Sequence, residues 1–219
     1  MSKLKFSISL SLDGFMAGPD QSVDHPLGVG GMRLHDWAFT LEAFQKMHGK
    51  SGGEVNASTR MMDEMFENVG AVIMGRNMFG PVRGPWANHE WKGWWGDDPP
   101  YHMPVFVLTH HARAPEPMQG GTTFIFVTDG IDSALRQARE AAAGKDVSIG
   151  GGASAIRQFL ARGLVDEINV SLVPLLLGKG ERPFDHLGDA GLTLEQTRVI
   201  EAPGVTHLRY RVVKTTPTT

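Results

Sequence analysis

The chain has no cysteine among its 219 residues, and this absence removes several kinds of chemistry. Without thiols it can form no disulfide bond, no thiolate metal site and no cysteine nucleophile. Nine histidines are present, but none stands at a spacing that is typical of metal ligands, so we predict no bound metal. A catalytic or binding role must therefore rest on other residue types.

The sequence also has little excess charge of either sign and no long apolar run. Lys and Arg number 21 and Asp and Glu number 24, which leaves a formal net charge of −3. Proteins that bind nucleic acid generally need a basic surface, so we expect no nucleic-acid partner. No stretch approaches the roughly 20 apolar residues of a membrane span, and the N-terminus lacks the apolar core of a signal peptide. We therefore expect a cytoplasmic protein that does not associate with membranes.

What is present is an ordinary globular composition with many loop-forming residues. Apolar residues make up 41% of the chain and charged residues 21%, and there are 27 glycines and 13 prolines. A chain of this length buries roughly 70% of its unfolded surface when it folds as one unit. We expect a single domain over residues 1–219, with residues 215–219 as a frayed tail.

The most informative pattern is a pair of glycine turns, each placed where a strand should lead into a helix. The apolar run 71–74 ends at Gly75, and the run 147–149 ends at the triple glycine 150–152. Such a turn presents free backbone N–H groups at the positive end of a helix dipole, where phosphate binds well. Two such turns favour a ligand with several phosphates, of which a dinucleotide is the simplest.

Two other interpretations of the second turn stay open. Residues 150–155 also match the G-x-G-x-x-A fingerprint of a Rossmann fold. That fingerprint is persuasive near the start of a domain and with an acidic residue about 20 residues later, which is missing here. Alternatively, the glycines serve only to tighten the packing of the strand against the helix.

Apolar periodicity divides the chain into strands and helices that alternate and then end in an antiparallel pair. The predicted strands are 6–12, 69–74, 104–109, 123–128, 146–149, 168–177, 192–200 and 205–213. The predicted helices are 34–47, one capped by Asn56 or Ser58, 76–79, one that runs from Asp132 or Ser133 to 143, and 154–162. This order predicts an α/β fold of three layers, with a mostly parallel mixed sheet, an antiparallel C-terminal edge and helices on both faces.

Several motifs resemble the dihydrofolate reductase-like superfamily. Residues 72–76 resemble the strand that leads into the cofactor-binding helix of dihydrofolate reductases, and residues 149–152 resemble the second glycine turn of that fold. Residues 11–14 and 163–168 resemble the reductase domain of the bifunctional deaminase-reductase of bacterial riboflavin biosynthesis. The stretch 5–213 is therefore similar to stand-alone proteins with this C-terminal reductase domain. The resemblance implies a dihydrofolate-reductase-like fold and a homodimer.

The resemblance also implies NADPH as the cofactor. Arg76 would face a cofactor phosphate, residues 109–111 would lie near the adenosine 2′-phosphate, and residues 150–154 would carry the pyrophosphate. In dihydrofolate reductases a Gly-Gly peptide bond of this turn is cis, and the matching pair here is Gly150-Gly151. The alternatives are a surface role for Arg76 and a turn without function after Thr109. The implied cofactor residues are Gly75, Arg76, Asn77, Thr109, His110, His111, Gly150, Gly151, Gly152, Ala153 and Ser154.

Three carboxylates and two indoles are the candidates for chemistry on a substrate. Asp13, Asp36 or Asp63 would hold a heterocyclic ring through paired N–H groups or relay a proton. The alternatives are an Asp-Gly turn and solvated helix faces. Trp86 and Trp95, two of four tryptophans in a long predicted loop, would stack on a planar substrate. The alternative is an apolar cluster that anchors this loop.

The residues and the resemblance together predict an NADPH-dependent reductase. It would transfer a hydride to a small heterocyclic or imine/carbonyl substrate, such as a pterin, a pyrimidine or a riboflavin precursor, while loop 14–31 excludes water. The chain departs from the resembled families at three positions. Thr59 stands where dihydrofolate reductases have an acid, Met78 where a threonine is usual, and Ile149 where riboflavin-pathway reductases have a glutamate. A non-catalytic module that binds NADP(H) or another nucleotide is therefore the alternative.

Overall fold

Nine strands form one mixed sheet in this computed structural model, which describes residues 2–81, 83–86, 90–188 and 191–214. The tail predicted at 215–219 lies outside the described residues. The strands are β1 Leu4–Ser11, β2 Val69–Gly75, β3 Pro104–Leu108, β4 Glu116–Pro117, β5 Thr123–Val127, β6 Asp146–Gly151, β7 Glu167–Val173, β8 Thr193–Ala202 and β9 Val205–Val213. The helices are α1 Asp36–Phe39, α2 Glu42–Met47, α3 Ala57–Met65, α4 Arg76–Phe79, α5 Ile131–Ala142 and α6 Ala153–Ala161, with short 3-10 helices at Gly31–His35 and Gln119–Gly121.

The topology confirms the predicted α/β class. The sheet order is β4-β5-β3-β2-β6-β1-β7-β9-β8, in which the six strands from β5 to β7 are parallel and β9 and β8 form the antiparallel edge. No pattern predicts β4, which pairs antiparallel with β5 at the opposite edge. β7 ends at Val173 rather than at residue 177, because Pro174 has no N–H to continue the ladder. The carboxyl ends of the parallel strands, and the turns that follow them, share one edge of the sheet.

Side-chain alternation divides the two faces of the sheet. In β2, Ala71 and Ile73 lie in the main hydrophobic core, which α5 and α6 complete. Val72 and Met74 point to the other face and lie in a second, aromatic-rich cluster. On that second face, Ser9 of β1 accepts a hydrogen bond from the indole of α1 (3.3 Å). Helices therefore cover both faces, as predicted.

The segment predicted as one helix over 34–47 is instead three short elements. Gly31–His35 is a 3-10 helix, and Leu41, between α1 and α2, has extended backbone angles of φ −71° and ψ 141°. Leu41 pairs with Glu54 in an isolated bridge, and the N–H of Glu42 donates to the Glu54 carbonyl (2.9 Å). These bonds to a distant segment replace helical hydrogen bonds and break the helix.

The predicted helix caps are correct in one case and wrong in the other. Asn56 caps α3: its side chain accepts a hydrogen bond from the backbone two residues on (2.8 Å), and its own N–H donates to Thr59 Oγ1 (2.9 Å). This reciprocal pair is a capping box. For α5, neither Asp132 nor Ser133 is the cap, because the helix starts directly after Gly130 at φ 92° without a side-chain cap from the described residues.

Buried hydrogen bonds join α3 to the antiparallel edge. His207 of β9, which is 2% exposed, contacts Ser58 Oγ through Nε2 (2.8 Å) and Ser171 Oγ through Nδ1 (2.9 Å). Burial, assisted by the charge of Arg198, lowers the pKa of His207 to about 4. The ring is therefore neutral near neutral pH, with one nitrogen donating and the other accepting. Both ring nitrogens of His207 therefore have hydrogen-bond partners, and these bonds hold α3 on the sheet.

Candidate functional site

The two predicted glycine turns lie side by side at the carboxyl edge of the sheet. β2 and β6 are parallel neighbours, and Met74 pairs with Gly151 in their register. A methyl group placed on Gly75 would lie 3.6 Å from the backbone nitrogen of Gly152 and 3.6 Å from Cβ of Ala155. The two turns are therefore close enough for one ligand to touch both.

The cis peptide bond lies one residue later than the resemblance implied. It joins Gly151 to Gly152, not Gly150 to Gly151. The strand β6 runs through Gly151 instead of ending at Ile149, and Gly150 is left unpaired at a register shift against β2. This extra residue within the strand moves the turn by one position.

Helix α6 begins directly after Gly152, and no side chain of the described residues caps it. Its first turn contains no acidic residue. A methyl group placed on Gly152 would have no heavy atom of the described residues within 4 Å. Ala153 is buried and Ser154 is exposed. The start of α6 therefore presents uncapped backbone donors beside open space, which favours an anion.

Two methionines cover the other side of this turn. A methyl group placed on Gly151 would lie 3.1 Å from Sδ of Met78 and 3.8 Å from Cε of Met16. Met78 belongs to α4 and Met16 to the loop that follows β1. The same loop reaches α4, because the Gln21 side chain donates to the carbonyl of Asn77, an exposed residue (3.1 Å). Methionine side chains are flexible, so this cover is adaptable.

Arg76 follows the first glycine turn, and one nitrogen of its guanidinium group has no hydrogen-bond partner among the described residues. Its Nη1 donates to Thr109 Oγ1 (3.4 Å), and its guanidinium carbon lies 3.0 Å from the centre of the Trp86 ring. Its Nη2 is buried and has no hydrogen-bond partner among the described residues. Burial, followed by the charges of Arg113 and Arg83, lowers the pKa of Arg76 to about 10, so the side chain stays cationic near neutral pH. A buried cationic donor of this kind favours an anionic acceptor.

The loop after β3 completes this arginine site. Thr109 is buried, and its hydroxyl accepts a hydrogen bond from the N–H of His111 (3.2 Å). The His111 carbonyl accepts a hydrogen bond from Nε1 of Trp86 (2.9 Å). His110, by contrast, is exposed. The structure therefore brings Arg76, Thr109 and His111 together around one indole.

The tryptophan-rich loop is held in place by contacts with the rest of the protein. Trp95 packs against Tyr101 and Phe124, with ring centres 5.1 and 5.9 Å apart, inside the second hydrophobic cluster. This position fits the anchoring alternative. Trp86 carries the guanidinium of Arg76 on its ring and hydrogen-bonds the loop after β3. Its geometry is suited to orienting Arg76.

Asp13 holds a loop in place. It accepts hydrogen bonds from Ser11 Oγ (2.6 Å) and from the N–H groups of Leu177 (3.1 Å) and Gly178 (2.7 Å). These bonds, that of Ser11 first, lower the pKa of Asp13 to about 2. The carboxylate is therefore ionised near neutral pH and ties the end of β1 to the segment after β7.

The other two predicted carboxylates are not brought to the glycine turns by any contact in the described residues. Asp36 and Asp63 are exposed on α1 and α3. Thr59, at the position of the missing acid, uses its hydroxyl in the capping box of α3. The described ranges contain no group of three or more His, Asp or Glu arranged to hold a metal ion. They also contain no helix that is both long and apolar enough to cross a membrane.

Two polar residues near this edge, one buried and one with a buried ring nitrogen, are missed by the sequence. Arg113 lies beside Trp86, with its guanidinium carbon 5.0 Å from the ring centre, and donates to the Trp91 carbonyl (2.8 Å) and to Glu116 (2.9 Å). His35 has a buried Nδ1 without a partner in the described part of the chain. No periodicity or motif marks either residue, since their burial depends on contacts far along the chain.

The carboxyl edge of this mainly parallel sheet carries adjacent glycine turns, an uncapped helix start and an arginine with a buried, unpaired donor. This combination is typical of α/β domains that bind phosphate-bearing ligands. The family can be named more closely. The chain belongs to the RibD C-terminal domain family, whose model matches residues 2–208. The resemblance stated from the sequence is thereby confirmed.

Individual proteins show the same relationship. The chain is 28% identical over 184 residues to the uncharacterized Bacillus subtilis (strain 168) protein YyaP, covering 80% of this chain and 92% of YyaP. A Shewanella sp. PV-4 protein named for riboflavin biosynthesis has a similar structure, with 22% identity, a TM-score of 0.62, and coverage of 98% of this chain and 100% of that one. Dihydrofolate reductase from Enterococcus faecalis, solved with NADP(H), is similar in fold at 11% identity and a TM-score of 0.51, with 97% of each chain covered.

Proposed function

We propose that this protein is an NADPH-dependent reductase that transfers a hydride to a small heterocyclic or imine/carbonyl substrate, such as a pterin, a pyrimidine or a riboflavin precursor. One observation carries the proposal. The two glycine turns lie side by side, next to a buried arginine donor that has no partner among the described residues. Membership of the RibD C-terminal domain family and the likeness to a dihydrofolate reductase fold support the same activity.

The residues at the carboxyl edge fit the anionic groups of NADPH. The uncapped N–H groups of Ala153 and Ser154 would bind the pyrophosphate, with Gly152 leaving space for it. Arg76 would pair with the 2′-phosphate through its unused Nη2, beside Thr109. When bound, NADPH supplies the hydride. The protein's task is to hold the two reacting rings together and to exclude water with the loop after β1.

The carboxylates divide into two roles under this proposal. Asp13 keeps the loop after β1 attached to the segment after β7 through its three hydrogen bonds. Its low pKa means that it carries no proton to donate near neutral pH. Asp36 and Asp63 stay as the proposed proton donors. Trp86 is proposed to orient Arg76, and Trp95 to anchor the loop that contains it.

A non-catalytic module that binds NADP(H) is a second candidate. The observation that favours it is the engagement of Thr59, which replaces the acid of dihydrofolate reductases and is used to cap α3. Such a module would use the same glycine turns and the same arginine. It would differ only in lacking a group that protonates the substrate.

Calorimetric titration with NADPH, followed by a stopped-flow screen, separates these candidates. We expect NADPH to bind and to be consumed with at least one of three substrate classes, namely oxidised pterins, flavins and pyrimidine ribosylamines. Tight binding with no consumption across the screen would favour the module. No NADPH binding would contradict both candidates.

We also propose that the protein acts as a cytoplasmic homodimer, as the resemblance implies. The support from the fold is the exposed ten-residue strand β8, which pairs with β9 on one side and with no other described strand. Leu194 and Val199 of this strand are 43% and 51% exposed, and a second chain would cover them. Sedimentation velocity is expected to give twice the chain mass. A monomer across the micromolar range would remove the dimer from the proposal.

A further inference from the structure

The protein carries its sulfur in methionine alone. The chain has 11 methionines and no cysteine, so the thioethers are the sulfur groups that a peroxide can oxidise. Met62 and Met74 are buried inside hydrophobic clusters. Met16 and Met78 are half-buried, and both lie against the second glycine turn. Neither of these two side chains has a role in the proposed reductase.

The sulfur atom of Met78 faces two consecutive glycines of that turn. A methyl group placed on Gly150 would lie 3.4 Å from Sδ of Met78, and one placed on Gly151 would lie 3.1 Å from the same atom. The thioether therefore occupies space that the two glycines leave free. Met16 reaches the turn differently, because the atom nearest to the methyl position on Gly151 is its terminal carbon, at 3.8 Å.

Backbone donors without a side-chain cap follow this turn. α6 begins directly after Gly152, and no side chain of the described residues accepts a hydrogen bond from the N–H groups of its first turn. Oxidation of a methionine converts an apolar thioether into a polar sulfoxide, whose oxygen accepts hydrogen bonds. An oxygen atom on Sδ of Met78 would stand beside the seat proposed for the pyrophosphate. It would compete with the cofactor for the same donors.

We propose that Met78 is a site of reversible oxidation, and that hydrogen peroxide closes the cofactor site by converting this residue to its sulfoxide. The inference rests on the proposed function and names how that cofactor site is regulated. A lone pair of Sδ forms a bond to one peroxide oxygen, the O–O bond breaks, and a proton passes to the leaving hydroxide, which departs as water. The sulfur loses two electrons and the peroxide gains them. A methionine sulfoxide reductase reverses the step, while two thiols supply the electrons by forming a disulfide and the oxygen leaves as water.

The test compares the NADPH dissociation constant before and after treatment with hydrogen peroxide, which is removed before the calorimetric titration. We expect the oxidised protein to bind NADPH about 10-fold more weakly, the scale of one hydrogen bond lost to a competing acceptor. Met78→Leu has no sulfur at this position, so its own dissociation constant is expected to be the same before and after treatment. Met61→Leu is the matched control, because Met61 is also half-buried but lines a cavity at the opposite, amino edge of the sheet. Treatment is expected to weaken binding by this control as much as binding by the unmodified protein.

Mass spectrometry of peptides and reversal of the oxidation assign the effect to one sulfur atom. Met78 is expected to gain one oxygen atom, and saturating NADP+ is expected to protect Met78 but not Met61. Methionine sulfoxide reductase with dithiothreitol is expected to restore the original affinity. Circular dichroism is expected to show that the oxidised protein stays folded, and an unfolded product would contradict the proposal.

The remaining outcomes separate this inference from the proposed function. If NADPH binds but peroxide leaves Met78 unmodified, or if oxidised Met78 leaves the affinity unchanged, the inference is wrong and the proposed cofactor site stands. The same holds if treatment weakens binding by Met78→Leu as much as binding by the unmodified protein. If the untreated protein does not bind NADPH, the proposed function fails and the inference falls with it.

Discussion

Replacement of Arg76 with alanine is expected to weaken NADPH binding by about 10- to 150-fold, which corresponds to the ~1.5–3 kcal/mol of a hydrogen bond to a charged group. The reason is that the buried Nη2 of this half-buried side chain has no acceptor among the described residues and stands beside the adjacent glycine turns. Calorimetric titration of the variant and the unmodified protein measures the change directly. Arg76→Lys is expected to recover only part of the affinity, because an ammonium group cannot pair with phosphate in the planar, two-point manner of a guanidinium.

Arg136→Ala is the control for this experiment. Arg136 is an exposed arginine on α5 that pairs with Glu140, a second exposed residue (3.2 Å). Its replacement is expected to leave NADPH affinity unchanged. Equal dissociation constants for Arg76→Ala and the unmodified protein would remove Arg76 from the cofactor site. Far-ultraviolet circular dichroism and the Tm of each variant show whether a loss of affinity comes from a loss of folding.

Replacement of Glu64 with glutamine is expected to lower the free energy of unfolding by about 2–4 kcal/mol, because it removes the anion from a cluster of cations. Glu64 of α3 accepts hydrogen bonds from Arg60 (2.8 Å), Arg198 of β8 (2.7 Å) and Arg209 of β9 (2.8 Å). Its side chain is only 15% exposed, and two of the three arginines belong to the antiparallel edge. Without the carboxylate, these cations repel one another where α3 meets the sheet.

The contribution of Glu64 also depends on pH in a defined direction. Burial alone would raise the pKa of Glu64, but hydrogen bonds from Arg198, Arg209 and Arg60 lower it to about 2 from its ordinary value of 4.5. The stabilisation is therefore fully present above pH 4.5 and is lost as the pH falls from 4.5 towards 2. Urea unfolding at neutral pH and near pH 3 measures this loss. Glu64→Gln is expected to show a smaller loss than the unmodified protein.

The exposed pair on α5 offers a matched control for this second experiment. Glu140→Gln breaks a surface ion pair whose partners are 63% and 66% exposed, and such pairs contribute about 0–1 kcal/mol. If Glu64→Gln proves no more harmful than Glu140→Gln, the cluster does not hold α3 on the sheet. The network around His207 would then be the main attachment of that helix.

The glycine turns and the mostly parallel class of the sheet were predictable, because both depend on patterns along neighbouring stretches of sequence. A strand that ends in glycine before a helix start is recognised from a few residues, and the alternation of strands with helices indicates parallel strands. The break at Leu41 was not predictable, because it depends on a bridge to Glu54, whose pairing partner no local pattern reveals. The shift of the cis bond to Gly151-Gly152 has a similar origin, since it follows from the register of β6 against β2.

The site residues divide in the same way. Arg76 was proposed as a site residue from its position after Gly75, but the arrangement of Arg113 and Trp86 around it arises from a long loop without periodicity. His35 was invisible to pattern analysis, because a polar residue inside an apolar helix pattern is ordinarily assigned to the solvent side. Only the fold shows that its Nδ1 is enclosed.

The two methionines over Gly151 determine how the glycine turn is reached. A ligand that approached Gly151 from the side that a Cβ would occupy would meet the side chains of Met16 and Met78 first. Unbranched side chains change rotamer within picoseconds to nanoseconds, far faster than a hinge opens. We therefore expect a ligand that arrives from this side to gain access by rotation of the methionine side chains about single bonds.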